Sequence, residues 1–118
     1  MTSFSTSTEK RDSGVCVIKL SGYLDAHTAS DLERSMQEVI ANGCYRMVVD
    51  FTDLDYISSA GLGVFMVFIE SVRKEGGDIK LASMKERVFS VFDLLGFPVL
   101  FQIFTHVEEA VDAYPAAT

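Results

Sequence analysis

Two adjacent hydroxyl side chains, Ser58 and Ser59, are the residues of this chain whose position is best suited to chemistry. They follow a short β-branched and aromatic run, residues 47–51, and precede an apolar stretch of helical length and spacing. A helix start presents free backbone N–H groups and the positive end of the helix dipole. The turn can therefore stabilise an anion, and the simplest role of either hydroxyl is to cap the helix.

A nucleophilic role for Ser59 would require a general base and an acid that orients it. The chain has two histidines, His27 and His106, each at a predicted helix start, where a solvated capping role is expected. Neither has a sequence context that brings it to Ser59. The residues around Ser59 also lack the Gly-x-Ser-x-Gly elbow of serine hydrolases. We therefore predict that the protein is not an enzyme.

The acidic and sulfur-containing residues do not form a metal-binding pattern. Asp50, Asp53 and Asp55 could approach a hard cation, but they supply fewer ligands than a dedicated site needs. Cys16 and Cys44 lie far apart, inside apolar runs, which suits small buried hydrophobic side chains better than a disulfide or a metal pair. The sequence therefore predicts neither a metal nor a cofactor.

Length and charge set the class of protein. With 118 residues and 13.0 kDa, the chain fits one domain, residues 1–118, with a core that needs no disulfide. The net charge of −7 and the scattered basic residues argue against nucleic-acid binding. No run reaches the roughly 18 apolar residues of a membrane span, and the start lacks the pattern of a signal peptide. We expect a soluble cytoplasmic protein without a membrane partner.

Hydrophobic spacing predicts the element order ββαβαβαβα. Strands are expected at residues 3–10, 15–20, 47–51, 78–82 and 100–105, the first two as a hairpin, with residues 21–25 leading out of the sheet. Thr28 with Asp31, and Ser83 with Glu86, resemble capping boxes of two of the four helices. The predicted fold is α/β, with a mixed central sheet of about five strands and four helices.

The central helix, which begins near Ser59, is apolar all round. One face is expected to form core and carries Leu62, Phe65, Met66, Ile69 and Val72. The opposite face carries Val64, Val67 and Phe68, where a surface helix would show charged residues. Such a helix is either buried on both sides or covered by a partner. If all helices lie on one face of the sheet, the outer residues stay partly open, which favours partner binding.

A family resemblance covers essentially the whole chain. The run VVDFTDLDYISSAGLGV, residues 48–64, resembles the signature of the bacterial anti-sigma factor antagonists of the STAS domain family. The motif GYLD, residues 22–25, is similar to the family's turn after its second strand. The motif FDLLGF, residues 92–97, is similar to the family's third helix end. The resemblance implies a single STAS-like domain.

The resemblance also implies a function. Family members bind an anti-sigma factor that is also a serine kinase, are released when it phosphorylates one serine at the start of the second helix, and are restored by a phosphatase. In this chain Ser59 takes the place of the phosphoacceptor, whereas Ser58 stands where the family usually has an aspartate. The expected partner-binding residues are Asp25, Ser58, Ser59, Ala60, Gly61, Val64, Val67 and Phe68.

Two other functions remain open on sequence grounds. A STAS domain can be a non-phosphorylated scaffold subunit of a transporter or signalling complex. A cognate kinase with ATP would then leave the mass of the chain unchanged. A small enzyme is the third alternative, and it would require turnover by the isolated chain.

Overall fold

Five strands form one mixed sheet in the structure, a computed structural model that describes residues 3–115. In sheet order they are β1 (Phe4–Lys10), β2 (Cys16–Leu24), β3 (Arg46–Ile57), β4 (Asp78–Ala82) and β5 (Ile103–Phe104). β1 and β2 form the predicted antiparallel hairpin, and the remaining neighbours are parallel. The α/β class and the order of elements are confirmed. The first residues of the chain and most of the predicted tail, residues 115–118, lie outside the described range.

Four helices connect or follow the strands. They are α1 (Ala29–Ala41), α2 (Ser59–Lys74), α3 (Glu86–Leu94) and α4 (Val107–Asp112), with a 3-10 turn at Phe97–Val99. Within residues 3–115 no helix has both the length and the apolar character that crossing a membrane requires. Helix α2 follows the central strand β3 after a single residue, Ser58.

The core lies on both faces of the sheet. Cys16, Ile18 and Leu20 of β2 point into the larger core, which includes buried residues of α1, α2 and α3. Val15 and Val17 point the other way, into a smaller core completed by α4. The strand predicted at residues 15–20 is thus confirmed, with its side chains alternating between the two faces. An arrangement with all helices on one face is wrong, because α4 covers the opposite face.

Both central strands run further than the sequence predicts. β2 continues to Leu24 and β3 to Ile57, and these two residues lie opposite each other. The register between the strands shifts after Lys19 and again after Gly22. These irregularities break the alternation of polar and apolar residues. The extra strand residues therefore resemble turns in sequence, although they belong to the sheet.

The last strand and two helix caps also differ from prediction. The strand expected at residues 100–105 is reduced to Ile103–Phe104. Thr28 is the N-cap residue of α1, but its hydroxyl donates to the carbonyl of Tyr23 instead of capping. Ser83 has a φ of 63° and donates to the carbonyl of Thr105, while α3 begins after Lys85. Serine and threonine can bond to nearby backbone in several ways, so a capping-box pattern alone does not fix the cap.

The cysteines form a disulfide, which corrects the prediction of two separate buried thiols. Cys16 and Cys44 are both buried, as expected, and their Cα atoms lie 6.6 Å apart. The pairing follows from the parallel register, in which Cys16 lies opposite Met47, three residues after Cys44. Distance in sequence therefore did not imply distance in the fold.

Candidate functional site

The carboxyl ends of β2 and β3 meet at the turn that leads into α2. The backbone N–H of Ser58 donates to the carbonyl of Leu24 at 2.9 Å, directly beyond the pairing of Leu24 with Ile57. The loop that begins at Asp25 is thereby held beside the start of α2. Two strand ends, a loop and a helix start therefore build the site.

Gly61 allows α2 to begin close to the strands. A Cβ atom at this position would lie 2.6 Å from Cγ of Leu24 and 3.3 Å from Cγ1 of Ile57, so any side chain would displace the helix start. Gly61 is buried. Its role in this chain is close packing, which fixes the height of the helix start above the sheet. A partner that contacts this region would touch the residues beside Gly61 rather than Gly61 itself.

The two serines differ in exposure. Ser59 is the exposed first residue of α2, and its hydroxyl makes no hydrogen bond within the residues the structure describes. Ser58 is the N-cap residue, but its Oγ is buried and lacks a partner within that range. The expectation that one of these hydroxyls caps the helix is therefore wrong, because α2 has no side-chain cap hydrogen bond. Because no side chain accepts from the first turn's N–H groups, the positive end of α2 stays open to an anion.

The buried hydroxyl leads to a prediction about stability. Ser58→Ala is expected to leave the free energy of unfolding unchanged or to raise it by up to about 1 kcal/mol, since it removes an unsatisfied buried polar group. Urea unfolding measures the change, with Ser59→Ala as the exposed control. A loss of about 1 kcal/mol in the Ser58 variant alone would show that the hydroxyl caps the helix in solution.

Asp25 organises the loop between β2 and α1. Its Oδ1 accepts a hydrogen bond from the backbone N–H of His27 at 2.9 Å, and the Thr28 hydroxyl oxygen, whose proton is donated to the Tyr23 carbonyl, lies 3.4 Å away. The side chain is only partly buried, so the carboxylate is accessible beside the start of α2. His106 is instead the N-cap residue of α4 on the opposite face of the sheet, where its backbone N–H donates to the side chain of Glu109. The site contains one carboxylate on a defined loop.

The outer face of α2 is mostly core. Val64 and Phe68 are only 5% and 8% exposed, so the prediction that they form an open face is wrong. Val67 remains 65% exposed and Met66, expected in the core, is 42% exposed. The reason is that α1 packs beside α2 on the same face of the sheet, so α2 is covered on two sides. The exposed ridge of α2 includes Ser59, Ala60, Met66 and Val67, and the helix continues with the exposed residues Glu70, Ser71, Arg73 and Lys74.

Basic side chains engage two acidic residues of β3 near the turn. Asp53 pairs with Lys19 at 3.7 Å. Asp55 accepts from Lys85, and Arg87 donates to both its carbonyl and its carboxylate. The hydrogen bond from Lys85 holds the pKa of Asp55 below its usual value. These contacts tie the start of α3 to the end of β3, which supports the site from the side opposite α1.

The family assignment follows from comparison with known proteins. Residues 7–110 match the model of the STAS domain. The chain belongs to the STAS domain family. Its relatives include BtrV of Bordetella bronchiseptica, named for anti-sigma factor antagonism, with 33% identity over 88% of this chain and 90% of that protein. The anti-sigma-B factor antagonist of Bacillus subtilis is 29% identical over 80% of this chain and 85% of its own length.

Solved structures support the same assignment. An anti-sigma factor antagonist from Mycobacterium paratuberculosis superposes with a TM-score of 0.85 at 27% identity, over 94% of this STAS domain and 93% of that chain. A sulfate transporter family protein from Wolinella succinogenes gives a TM-score of 0.70 at 20% identity, over 84% and 83%. The second likeness shows that the STAS fold is shared, and nothing more.

Proposed function

We propose that this STAS domain is a phosphorylation-switched antagonist that sequesters an anti-sigma factor with serine kinase activity and so regulates transcription. Similarity to proteins named anti-sigma factor antagonists supports the class. The observation that carries the switch is the exposed, unbonded hydroxyl of Ser59 at the first position of α2. The kinase phosphorylates Ser59 and thereby leaves the complex, and a phosphoserine phosphatase restores the binding form.

The position of Ser59 suits a switch that acts on binding rather than on folding. A phosphate adds about −1.5 to −2 charges and three acceptor oxygens. The uncapped N–H groups at the start of α2 favour an anion, so the fold tolerates the phosphate. A partner docked on the same residues would have to desolvate that charge or meet it with one of like sign. The complex is therefore destabilised much more than the free domain.

The surface that the anti-sigma factor would contact is smaller than the sequence suggests. Asp25, Ser59 and Ala60 lie at the turn, and Val67 continues the same exposed ridge along α2. Ser58 contributes its backbone position, since its hydroxyl is buried. We exclude three of the expected contact residues because they are buried in the domain: Gly61, Val64 and Phe68.

Phosphate mapping tests the proposal directly. The domain is incubated with ATP and the serine kinase that copurifies with it, and the phosphorylated residue is identified by mass spectrometry. One phosphate on Ser59 is the expected result. A phosphate on Ser58 would contradict the assignment of the acceptor. No phosphate on either serine would favour the scaffold alternative.

The loop aspartate provides a second test of the proposed interface. Asp25→Ala is expected to slow phosphorylation of Ser59 by about tenfold, as a lost charged contact of 1 to 2 kcal/mol would. It also removes the loop hydrogen bond from the His27 N–H, so the free energy of unfolding should fall by about 1 kcal/mol. The rate is measured by mass spectrometry, with His27→Ala in the same loop as control. Equal phosphorylation rates in both variants would limit Asp25 to a structural role.

A further inference from the structure

Two exposed aromatic rings stack at the ends of the central strands. Tyr23 on β2 and Tyr56 on β3 are 39% and 47% exposed, with ring centroids 5.6 Å apart and ring planes 30° from parallel. Neither hydroxyl makes a hydrogen bond within residues 3–115. We call this pair the tyrosine platform. Neither ring belongs to either hydrophobic core, so core packing does not explain the pair.

The platform lies on the face of the sheet that α4 covers only in part. Val17 of β2 and Val15, which precedes the strand, are buried in the small core beneath α4. Further along the same face of β2, Lys19 and Tyr23 are exposed, because α4 has only six residues. β4 ends opposite Asp50, so the last part of β3 also lacks a strand neighbour on that side. The fold therefore leaves the platform open.

The platform is continuous with the proposed switch. Tyr56 precedes Ser59 by three residues, and three residues of extended chain span at most about 11 Å. Leu24 and Ile57, the next residues on the two strands, pack directly beneath the start of α2. A standard interface covers about 800 Å² on each partner. A protein docked on Ser59 therefore reaches the platform without a second binding site.

The charge around the platform is negative. Lys19 is the one basic residue in segments 19–25 and 50–57. Its Nζ forms an ion pair with Oδ2 of Asp53 at 3.7 Å. Asp25 and Asp50 lie in the same segments without a basic partner among the described residues. Lys85 and Arg87 approach at the start of α3 and share one carboxylate, that of Asp55, so the four aspartates of these segments exceed the three basic side chains by one charge. Aromatic ring faces also carry negative potential, so a cation suits this surface best.

We infer that the tyrosine platform binds an arginine side chain of the anti-sigma factor. A planar guanidinium stacks on an aromatic ring and is less strongly hydrated than the ammonium of lysine, which favours arginine over lysine. The inference rests on the proposed function and extends its docking surface to the face of the sheet next to the switch. The platform then strengthens the binding of the anti-sigma factor, and a phosphate on Ser59 weakens it.

Substitutions of one ring test the inference. The probe is the purified anti-sigma factor that the unsubstituted domain retains from a lysate of its source and that phosphorylates the domain when ATP is added. Calorimetry is expected to show that Tyr56→Ala weakens binding at least about tenfold, whereas Tyr56→Phe stays within about threefold because it keeps the ring. Phe89→Ala, at an exposed aromatic on α3, serves as the matched control and should also stay within about threefold.

A pair of charge variants tests the identity of the bound group. Tyr56→Lys places a like charge against the arginine and should bind at least about tenfold more weakly than Tyr56→Glu. Circular dichroism and urea midpoints confirm that each variant is folded, and Tyr23→Ala replaces any Tyr56 variant that is not. Equal affinities of the Lys and Glu variants would overturn the arginine assignment. Unchanged affinity of both Tyr56→Ala and Tyr23→Ala would show that the tyrosine platform is not part of the binding surface.

The outcomes also separate this inference from the proposed function. If Ser59→Asp abolishes binding while the platform variants bind like the unsubstituted domain, only the platform inference fails. If the unsubstituted domain retains no anti-sigma factor, the proposed function fails and the platform inference fails with it.

Discussion

The Ser59→Asp domain is expected to bind the anti-sigma factor at least about 100-fold more weakly than the unsubstituted domain. The carboxylate places a charge on the exposed first residue of α2, where the partner would have to desolvate it. Calorimetry with the purified anti-sigma factor measures the loss. Ser59→Ala should bind like the unsubstituted domain and resist phosphorylation, so that it remains in the complex when ATP is added.

The matched control for charge is Ser59→Asn, which has almost the shape of aspartate and no charge. It should bind at least about tenfold more tightly than Ser59→Asp if repulsion and desolvation drive release. Equal weakening by both substitutions would show that bulk at the helix start is responsible. This outcome would remove the electrostatic explanation of the switch while leaving the interface in place.

The stability of the Ser59→Asp domain should not fall together with its affinity for the anti-sigma factor. Because the first turn of α2 has no side-chain cap, a carboxylate at Ser59 meets open N–H groups and the positive end of the dipole. Urea unfolding should show a free energy that is unchanged or up to about 1 kcal/mol higher in Ser59→Asp. A lower value would indicate that release involves local unfolding rather than a clash at the interface.

Periodicity predicted the parts of the fold that local packing determines. The strand expected at residues 15–20 was located correctly, because its apolar residues alternate between the two cores on either side of the sheet. The strand Asp78–Ala82 was also located correctly, since glycines precede it and Ile79 and Leu81 alternate with polar residues. These features depend on neighbours in sequence.

Features that depend on distant neighbours could not be predicted in this way. The irregular register makes the end of β3 resemble a turn, and only its pairing with β2 reveals a strand. The bond between Cys16 and Cys44 depends on which strands lie side by side. The position of α4 on the second face depends on sheet order. Each requires the tertiary arrangement, which the spacing of residues along one element does not contain.

The candidate site shows the same division. The position and exposure of Ser59 follow from the helix start, which is a local feature, and they agree with the prediction. The direction of the Ser58 side chain depends on the strands beneath it, and it was assigned wrongly. The tyrosine platform was missed because Tyr23 and Tyr56 are separated by 33 positions in sequence and meet only through the β2–β3 register. Two exposed aromatics in predicted turns were the available signal.

Val64 and Val67 offer a test of the revised outer face of α2, because they are the same residue type on one helix with opposite exposure. Val64→Asp places a charge in the core at a position 5% exposed, and is expected to lower the free energy of unfolding by about 4 kcal/mol or more. Val67→Asp lies at a position 65% exposed and should change it by less than about 0.5 kcal/mol. Urea unfolding of both variants measures the contrast.

The same pair separates packing from partner binding. If Val64→Asp does not fold, Val64→Ala replaces it and should lose about 2 kcal/mol, from two buried methyl groups and the cavity they leave. Val67→Asp should remain folded and bind the anti-sigma factor about tenfold more weakly, since it adds an unpaired charge to the proposed interface. Equal stability of the Val64 and Val67 variants would contradict the packing of α1 against α2. Unchanged affinity of Val67→Asp would confine the interface to the turn around Ser59, because Val67 lies two helical turns beyond it.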